Sequence, residues 1–126
     1  MSVSAYKKTI KNTENPRDIE RRILGQVTGK LENFVEEFDK SENKSSMLTT
    51  EIREAIWDNQ RLWINVKADL MSPGNMLPDQ LKGDLISLAI FIDKQSWLVM
   101  KGEGEIEPLI DVNKKIIAGL SGKAGG

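Results

Sequence analysis

The sequence contains no cysteine and no histidine. Without cysteine the chain can form neither a disulfide nor a thiolate nucleophile. Without histidine it lacks the side chain that most often acts as a general base or binds a transition metal. A Ser-His-Asp triad and a zinc site built on histidine are therefore both excluded. The composition points away from enzymatic catalysis.

An excess of either charge is also missing. Lysine and arginine number 18, aspartate and glutamate 19, and the net charge is −1. A nearly neutral chain is a poor candidate for a dedicated nucleic-acid binder. The length of 126 residues predicts a single domain that spans residues 1–126.

Long hydrophobic runs are absent too. The longest apolar stretch without a charge covers residues 85–92, whereas a membrane-spanning helix needs about 20 residues. The first residues lack the apolar segment of a signal peptide. We expect a cytoplasmic protein without a membrane partner.

Apolar residues recur at helical spacing, and no segment alternates as a strand would. The predicted fold class is all-α, a compact four-helix bundle with a polar N-terminal arm at residues 1–15. The helix over 78–101 is apolar nearly all round, which predicts that it lies at the centre of the bundle. The predicted helices cover residues 16–39, 50–71, 78–101 and 107–120.

The helix over 50–71 carries a second apolar stripe besides the one expected to face the core. Trp57, Ile64 and Met71 repeat at intervals of seven residues and therefore lie on one side of the helix. Two interpretations stay open. Either the stripe is exposed or covered only by the N-terminal arm, and an exposed patch marks a partner site, or the core is wider than four simple stripes require.

Two asparagines lie on apolar stripes. Asn59 is on the helix over 50–71, and Asn113 is on the helix over 107–120. A buried amide without partners costs about 1–3 kcal/mol. We therefore expect both to be structural polar residues that form an inter-helical hydrogen bond and fix the register of the helices.

Acidic residues are the remaining candidates for chemistry. Their positions in the first turns of helices or on polar faces are typical of solvated or capping groups. A metal bound by the three glutamates at 103, 105 and 107 is conceivable, but no calcium-loop or phosphate-loop motif is present. We expect no catalytic residue, no metal and no cofactor. The acids considered are Glu36, Glu37, Glu103, Glu105, Glu107 and Asp111.

Several stretches together resemble the flagellar biosynthesis regulator FlaF family of alphaproteobacteria. The resemblance covers about residues 3–120. It rests on the order and spacing of the motifs rather than on any chemical signature. The stretches are residues 4–6 (SAY), 13–17 (TENPR), 57–63 (WDNQRLW), 73–78 (PGNMLP) and 106–113 (IEPLIDVN).

This resemblance implies a non-enzymatic, cytosolic protein of flagellum assembly. The family is linked to flagellin production and is thought to bind flagellin before export, as a secretion chaperone and positive regulator. It acts in opposition to FlbT, a repressor of flagellin translation, which makes FlbT a second candidate partner. Flagellin termini are amphipathic helices, and surplus apolar surface on a small helical bundle would suit them.

The predicted binding site is a groove between the helices over 50–71 and 78–101. Trp57, Trp63 and Ile64 are the expected apolar anchors, with Met71 on the same stripe as Ile64. Arg61 is expected to pair with an acid on the partner. Because Trp63 also belongs to the apolar stripe that is expected to face the core, the sequence favours a core role for it over direct contact with a partner.

The alternative function is post-transcriptional regulation through RNA or an RNA-binding partner. Arg17, Arg21 and Arg22 cluster at the start of the first helix, and the arm contributes Lys7, Lys8 and Lys11. Acidic neighbours dilute this cluster, so the sequence favours a solvated helix face there.

Overall fold

The structure, a computed structural model, describes residues 16–120, and the side chains of residues 20–119 within that range. This part is entirely helical, with no strand, which confirms the predicted fold class. A 3-10 turn, Lys44–Met47, lies between the second and third helices. The helices are α1 (Pro16–Glu32), α2 (Val35–Lys40), α3 (Thr50–Leu70), α4 (Asp79–Met100) and α5 (Glu107–Leu120).

The four long helices pack as a ring. α1 contacts α3 and α5, and α4 contacts the same two helices from the other side. The prediction that α4 is the central helix is therefore wrong. Each helix of a ring turns only one face inward, and α4 buries just a narrow stripe of Ala89, Ile92, Ser96 and Val99.

The first predicted helix is interrupted after Glu32. The Phe34 amide donates to the carbonyl of Leu31, three residues back, at 3.1 Å. This tighter turn ends α1, and the chain resumes as the short helix α2. The apolar spacing continues across the break, which is why Phe38 is fully buried although it belongs to a separate helix.

The core is a single apolar cluster to which every helix of the described chain contributes side chains. Its members come from both ends of the sequence, so it links α1 and α2 to α4 and α5. Removing a large side chain of this kind typically costs several kcal/mol. The fully buried members are Leu31, Phe38, Ile56, Ile92, Val99, Ile106 and Leu109.

Side-chain oxygens cap two of the helices. Thr49 Oγ1 accepts a hydrogen bond from the Ile52 amide at 3.2 Å and so begins α3, as its residue type predicts. The start of α5 is capped from a distance. The Asp39 carboxylate, just before the end of α2, accepts from the amides of Ile106 and Glu107 at 2.8 and 2.9 Å. This contact ties the loop before α5 to α2.

None of the described helices combines the length and the apolar run that crossing a membrane requires.

Candidate protein-binding groove

A hydrogen-bonded amide cluster fills the centre of the ring, between the diagonal helices α3 and α5. Asn113 Nδ2 donates to Asn59 Oδ1 at 2.7 Å and to Thr28 Oγ1 at 3.1 Å. Asn113 Oδ1 accepts from Trp63 Nε1 at 2.9 Å. The hydrogen bond expected between the two asparagines is present, and it extends to α1 through Thr28. These bonds fix the indole of Trp63 in one orientation.

A groove of about 280 Å³ runs along the seam between α3 and α4. The floor is formed by Trp63 and Ile92, which are both buried. Ile64 and Met71 form the apolar edge on the α3 side. The groove therefore lies between the two helices where the sequence places it, and it includes three of the predicted contact residues.

The second apolar stripe of α3 is exposed. The exposed fractions are 49% for Trp57, 51% for Ile64 and 65% for Met71. Within the described residues, the stripe is therefore exposed rather than buried in a wider core. Trp57 does not line the groove, but it continues the same side of α3 seven residues before Ile64.

The opposite wall carries a matching stripe that the sequence reasoning missed. Asp93 lines the groove from α4, and residues three, four or seven positions away share its side of the helix. Among the residues at these spacings, Ile90 and Trp97 are exposed, at 40% and 57%, and Ile86 continues the same side of the helix. Their common side was evident from the spacing. Their exposure was missed because α4 was predicted to lie at the centre of the bundle, where these side chains would be buried.

Exposed apolar side chains are concentrated on the hairpin formed by α3, α4 and the turn between them. In the described part of the chain, all the exposed large apolar residues except Ile23 lie between positions 57 and 98. Met76 in the turn is 90% exposed. Phe91 and Leu98 are exposed on another side of α4, so the candidate protein-binding surface consists of the exposed residues beside the groove.

Arg61 does not lie among the groove-lining residues. Its Nη2 is 3.5 Å from Asp58 Oδ1 on the same helix, and its side chain is 62% exposed. Asp58 is also bound by Lys30 of α1 at 2.7 Å. The arrangement joins α1 to α3 and places Arg61 beside the groove rather than in it.

Comparison with known families decides the relationship. The sequence model of the family described as flagellar protein FlaF matches residues 2–120. The chain belongs to the FlaF family. It is accordingly a flagellar protein, and the resemblance found in the sequence is confirmed. Searches of curated proteins and of solved structures returned no significant match.

Two of the stretches on which the FlaF resemblance rests meet in the structure, while residues 4–6 and most of 13–17 lie outside the described residues. Residues 57–63 lie on α3 and supply Asn59 and Trp63 to the amide cluster. Residues 106–113 include the start of α5 and supply Asn113. The motifs of this FlaF-family chain thus build the core cluster under the groove, while residues 73–78 form the tip of the hairpin.

The acidic candidates of this FlaF-family protein separate into two groups. Glu37 and Glu103 are exposed and line neither cleft. The other four line a shallow cleft of about 510 Å³ between α2 and α5, together with two lysines. No set of three or more acidic side chains in the described residues converges as a metal site would require. The four are Glu36, Glu105, Glu107 and Asp111.

The basic residues behind the RNA alternative are only partly within the described structure. Arg21 and Arg22 are exposed on α1. The arm lysines at 7, 8 and 11 and the side chain of Arg17 lie outside the described residues. The described part therefore contains two of the six basic residues in that proposal.

Proposed function

We propose that this FlaF-family protein binds flagellin in the cytosol as a secretion chaperone and promotes flagellin production. Membership of the family supports the flagellar context. The single observation that carries the binding role is the groove between α3 and α4, with exposed apolar residues in its α3 wall and further exposed apolar residues on α4 beside the lining. Such a surface fits an amphipathic helix from a partner.

The occupant in this proposal is a terminal helix of flagellin. Its apolar face lies against the groove floor and against the stripes on α3 and α4. Before assembly these termini are disordered, so they fold as they bind. Covering them keeps flagellin from polymerising early and holds it ready for export.

The proposed anchors differ in their roles. Ile64 and Met71 on α3 and Trp97 on α4 are half or more exposed and contact the partner directly. Trp63 is held by its hydrogen bond to Asn113 and serves as a fixed floor. A floor that is ordered before binding lowers the entropic cost of association.

Regulation follows from mass action in this proposal. Flagellin held by the groove is withdrawn from any factor that senses free flagellin. FlbT is the candidate for that factor, and no enzymatic step is needed.

A titration of the purified protein with monomeric flagellin tests the proposal, with tryptophan fluorescence as the signal. Ile64→Ser and Ile90→Ser leave every tryptophan in place, and each removes one exposed apolar side chain, from α3 and from α4 respectively. We expect each to weaken binding about tenfold, since buried apolar anchors dominate such interfaces.

Phe91→Ser is the matched control for Ile90→Ser. The two neighbours are equally exposed, at 40% each, but Phe91 lies on the flank of α4 away from Asp93. It should bind flagellin like the wild type, and circular dichroism should show that all variants stay folded. Absence of binding at micromolar flagellin, or an equal loss in Phe91→Ser, would refute the proposal.

A further inference from the structure

The groove carries one charge on each wall. Lys67 is the charged residue that α3 contributes to the lining, and Asp93 is the one from α4. The rest of the lining is apolar except for the amide of Gln60. The groove therefore carries a cation on its α3 wall and an anion on its α4 wall.

Lys67 lies on the groove side of α3 because of its register. It follows Trp63 by four residues and Ile64 by three, and it precedes Met71 by four. All three of these neighbours line the groove. The side chain is half-buried, so its aliphatic part packs against apolar surface while the ammonium stays at the edge.

Neither groove charge forms an ion pair within the described part of the chain. Among the described residues, no opposite charge lies within ion-pair distance of Lys67 or Asp93, and the two do not pair with each other. Elsewhere the chain does pair its charges between helices. Lys30 binds Asp58 at 2.7 Å, and Lys114 binds Glu32 at 3.0 Å.

An apolar helix that covered these charges without pairing them would bind poorly. Removing an ion from water costs several kcal/mol unless an opposite charge and hydrogen bonds replace the lost hydration. A partner adapted to the groove therefore needs a carboxylate near Lys67 and a basic group near Asp93. Opposite charges of this kind contribute specificity in addition to affinity.

We propose that the groove selects an amphipathic helix with an acidic residue on one edge of its apolar face and a basic residue on the other. The acidic edge lies against Lys67 on α3, and the basic edge lies against Asp93 on α4. Turning the helix end over end would exchange its edges, so the charges also fix its direction. The inference rests on the proposed helix-binding function and specifies the partner's chemistry.

The first test replaces Lys67 with methionine, which keeps the length and the apolar stem but removes the charge. Lys94→Met is the matched control, because Lys94 is an exposed lysine of α4 outside the groove lining. At about 50 mM salt we expect Lys67→Met to bind monomeric flagellin about fivefold more weakly, with a smaller difference at about 500 mM. Lys94→Met should match the wild type. Unchanged or tighter binding by Lys67→Met would overturn the inference.

A second test uses synthetic helical peptides with one apolar face and three edge patterns: acid with base, acid with acid, and base with base. The wild type should bind the acid–base peptide best. Lys67→Glu makes both walls acidic, so its preference should move to the peptide with two basic edges. The same ranking for both proteins, or no peptide binding, would overturn the inference.

The peptide series contains no flagellin. A switch in peptide preference without flagellin binding would therefore refute the proposed function and leave the charge selection standing. Flagellin binding without a switch in peptide preference would refute the charge selection and leave the proposed function standing.

Discussion

At the scale of single residues, Asn113 makes three buried side-chain hydrogen bonds to other helices. Its amide accepts from Trp63 and donates to Asn59 and Thr28, so one side chain joins α5 to α3 and α1. Asn59 receives only one of these bonds, and its own Nδ2 is buried without a partner. Two asparagines with similar burial therefore contribute differently to stability.

We predict that Asn113→Ala lowers the free energy of unfolding by roughly 2–4 kcal/mol, because it leaves the buried indole N–H and the Asn59 carbonyl unpaired. Asn59→Ala should cost less, roughly 1–2 kcal/mol, because it also removes a donor that has no partner. Urea denaturation followed by circular dichroism measures both.

Asn65→Ala is the control for this pair, since Asn65 is exposed on α3. It should change stability by less than about 0.5 kcal/mol. Equal losses at positions 59 and 113 would show that the hydrogen bonds do not set the difference.

At the scale of elements, the end of α4 depends on backbone geometry. Gly102 has φ +76, and the amides of Gly102 and Glu103 donate to the carbonyls of Val99 and Leu98, each at 2.9 Å. This is a Schellman ending, which favours glycine at the left-handed position. The close approach of Ser45 from the 3-10 turn adds a second constraint, because a Cβ on Gly102 would lie 2.8 Å from the Ser45 backbone nitrogen.

We therefore predict that Gly102→Ala destabilises the protein by roughly 1–3 kcal/mol, through strain at positive φ and the clash with Ser45. Gly83→Ala in the same helix should instead stabilise it by about 0.5–1 kcal/mol, since no atom lies within 4 Å of the added Cβ. Thermal denaturation of both variants measures whether the two changes in stability have opposite signs. Equal and small effects would argue against the strained ending.

At the scale of the whole molecule, positive and negative charges are nearly equal in number, whereas the exposed apolar side chains are unevenly distributed over the described surface. The chain carries 18 basic and 19 acidic residues, whereas the exposed large apolar residues of the described part lie almost entirely on the α3–α4 hairpin. In the proposed complex, binding through this surface would depend on apolar contact with a limited ionic contribution. Binding to RNA phosphates would depend mainly on counterion release.

We predict that raising salt from about 50 to 200 mM weakens flagellin binding less than about tenfold, whereas several phosphate contacts would lose about a thousandfold or more. Paired titrations with flagellin and single-stranded RNA measure this. The Arg21→Ala/Arg22→Ala double variant should keep flagellin affinity within about twofold. RNA binding that this variant abolishes would favour the alternative function.

Much of the fold was predictable from the sequence. Helix type and most helix ends follow from apolar spacing and from capping residues such as Thr49, which act within a few positions of the chain. The break after Glu32 was not predicted, because the apolar spacing continues to Phe38. The Asp39 cap on α5 was missed as well, because its partners are more than 60 residues away.

The candidate site was predictable in part for the same reason. The spacing of Trp57, Ile64 and Met71 placed them on one side of α3, but spacing cannot tell whether another helix covers that side. The wall formed by Ile90 and Trp97 was missed because α4 was taken to be central. Its actual neighbours are α3 and α5.

The sequence by itself determined the helical class, the absence of cysteine and histidine chemistry, and the presence of more apolar helix surface than four inward stripes need. These are properties of composition and of short-range spacing. Only the tertiary structure decided which apolar stripes remain exposed, and that Trp63, Asn59, Asn113 and Thr28 share one cluster. Both depend on which helix faces overlap when segments distant in the sequence pack against one another, and the spacing of residues within one helix carries no information about that.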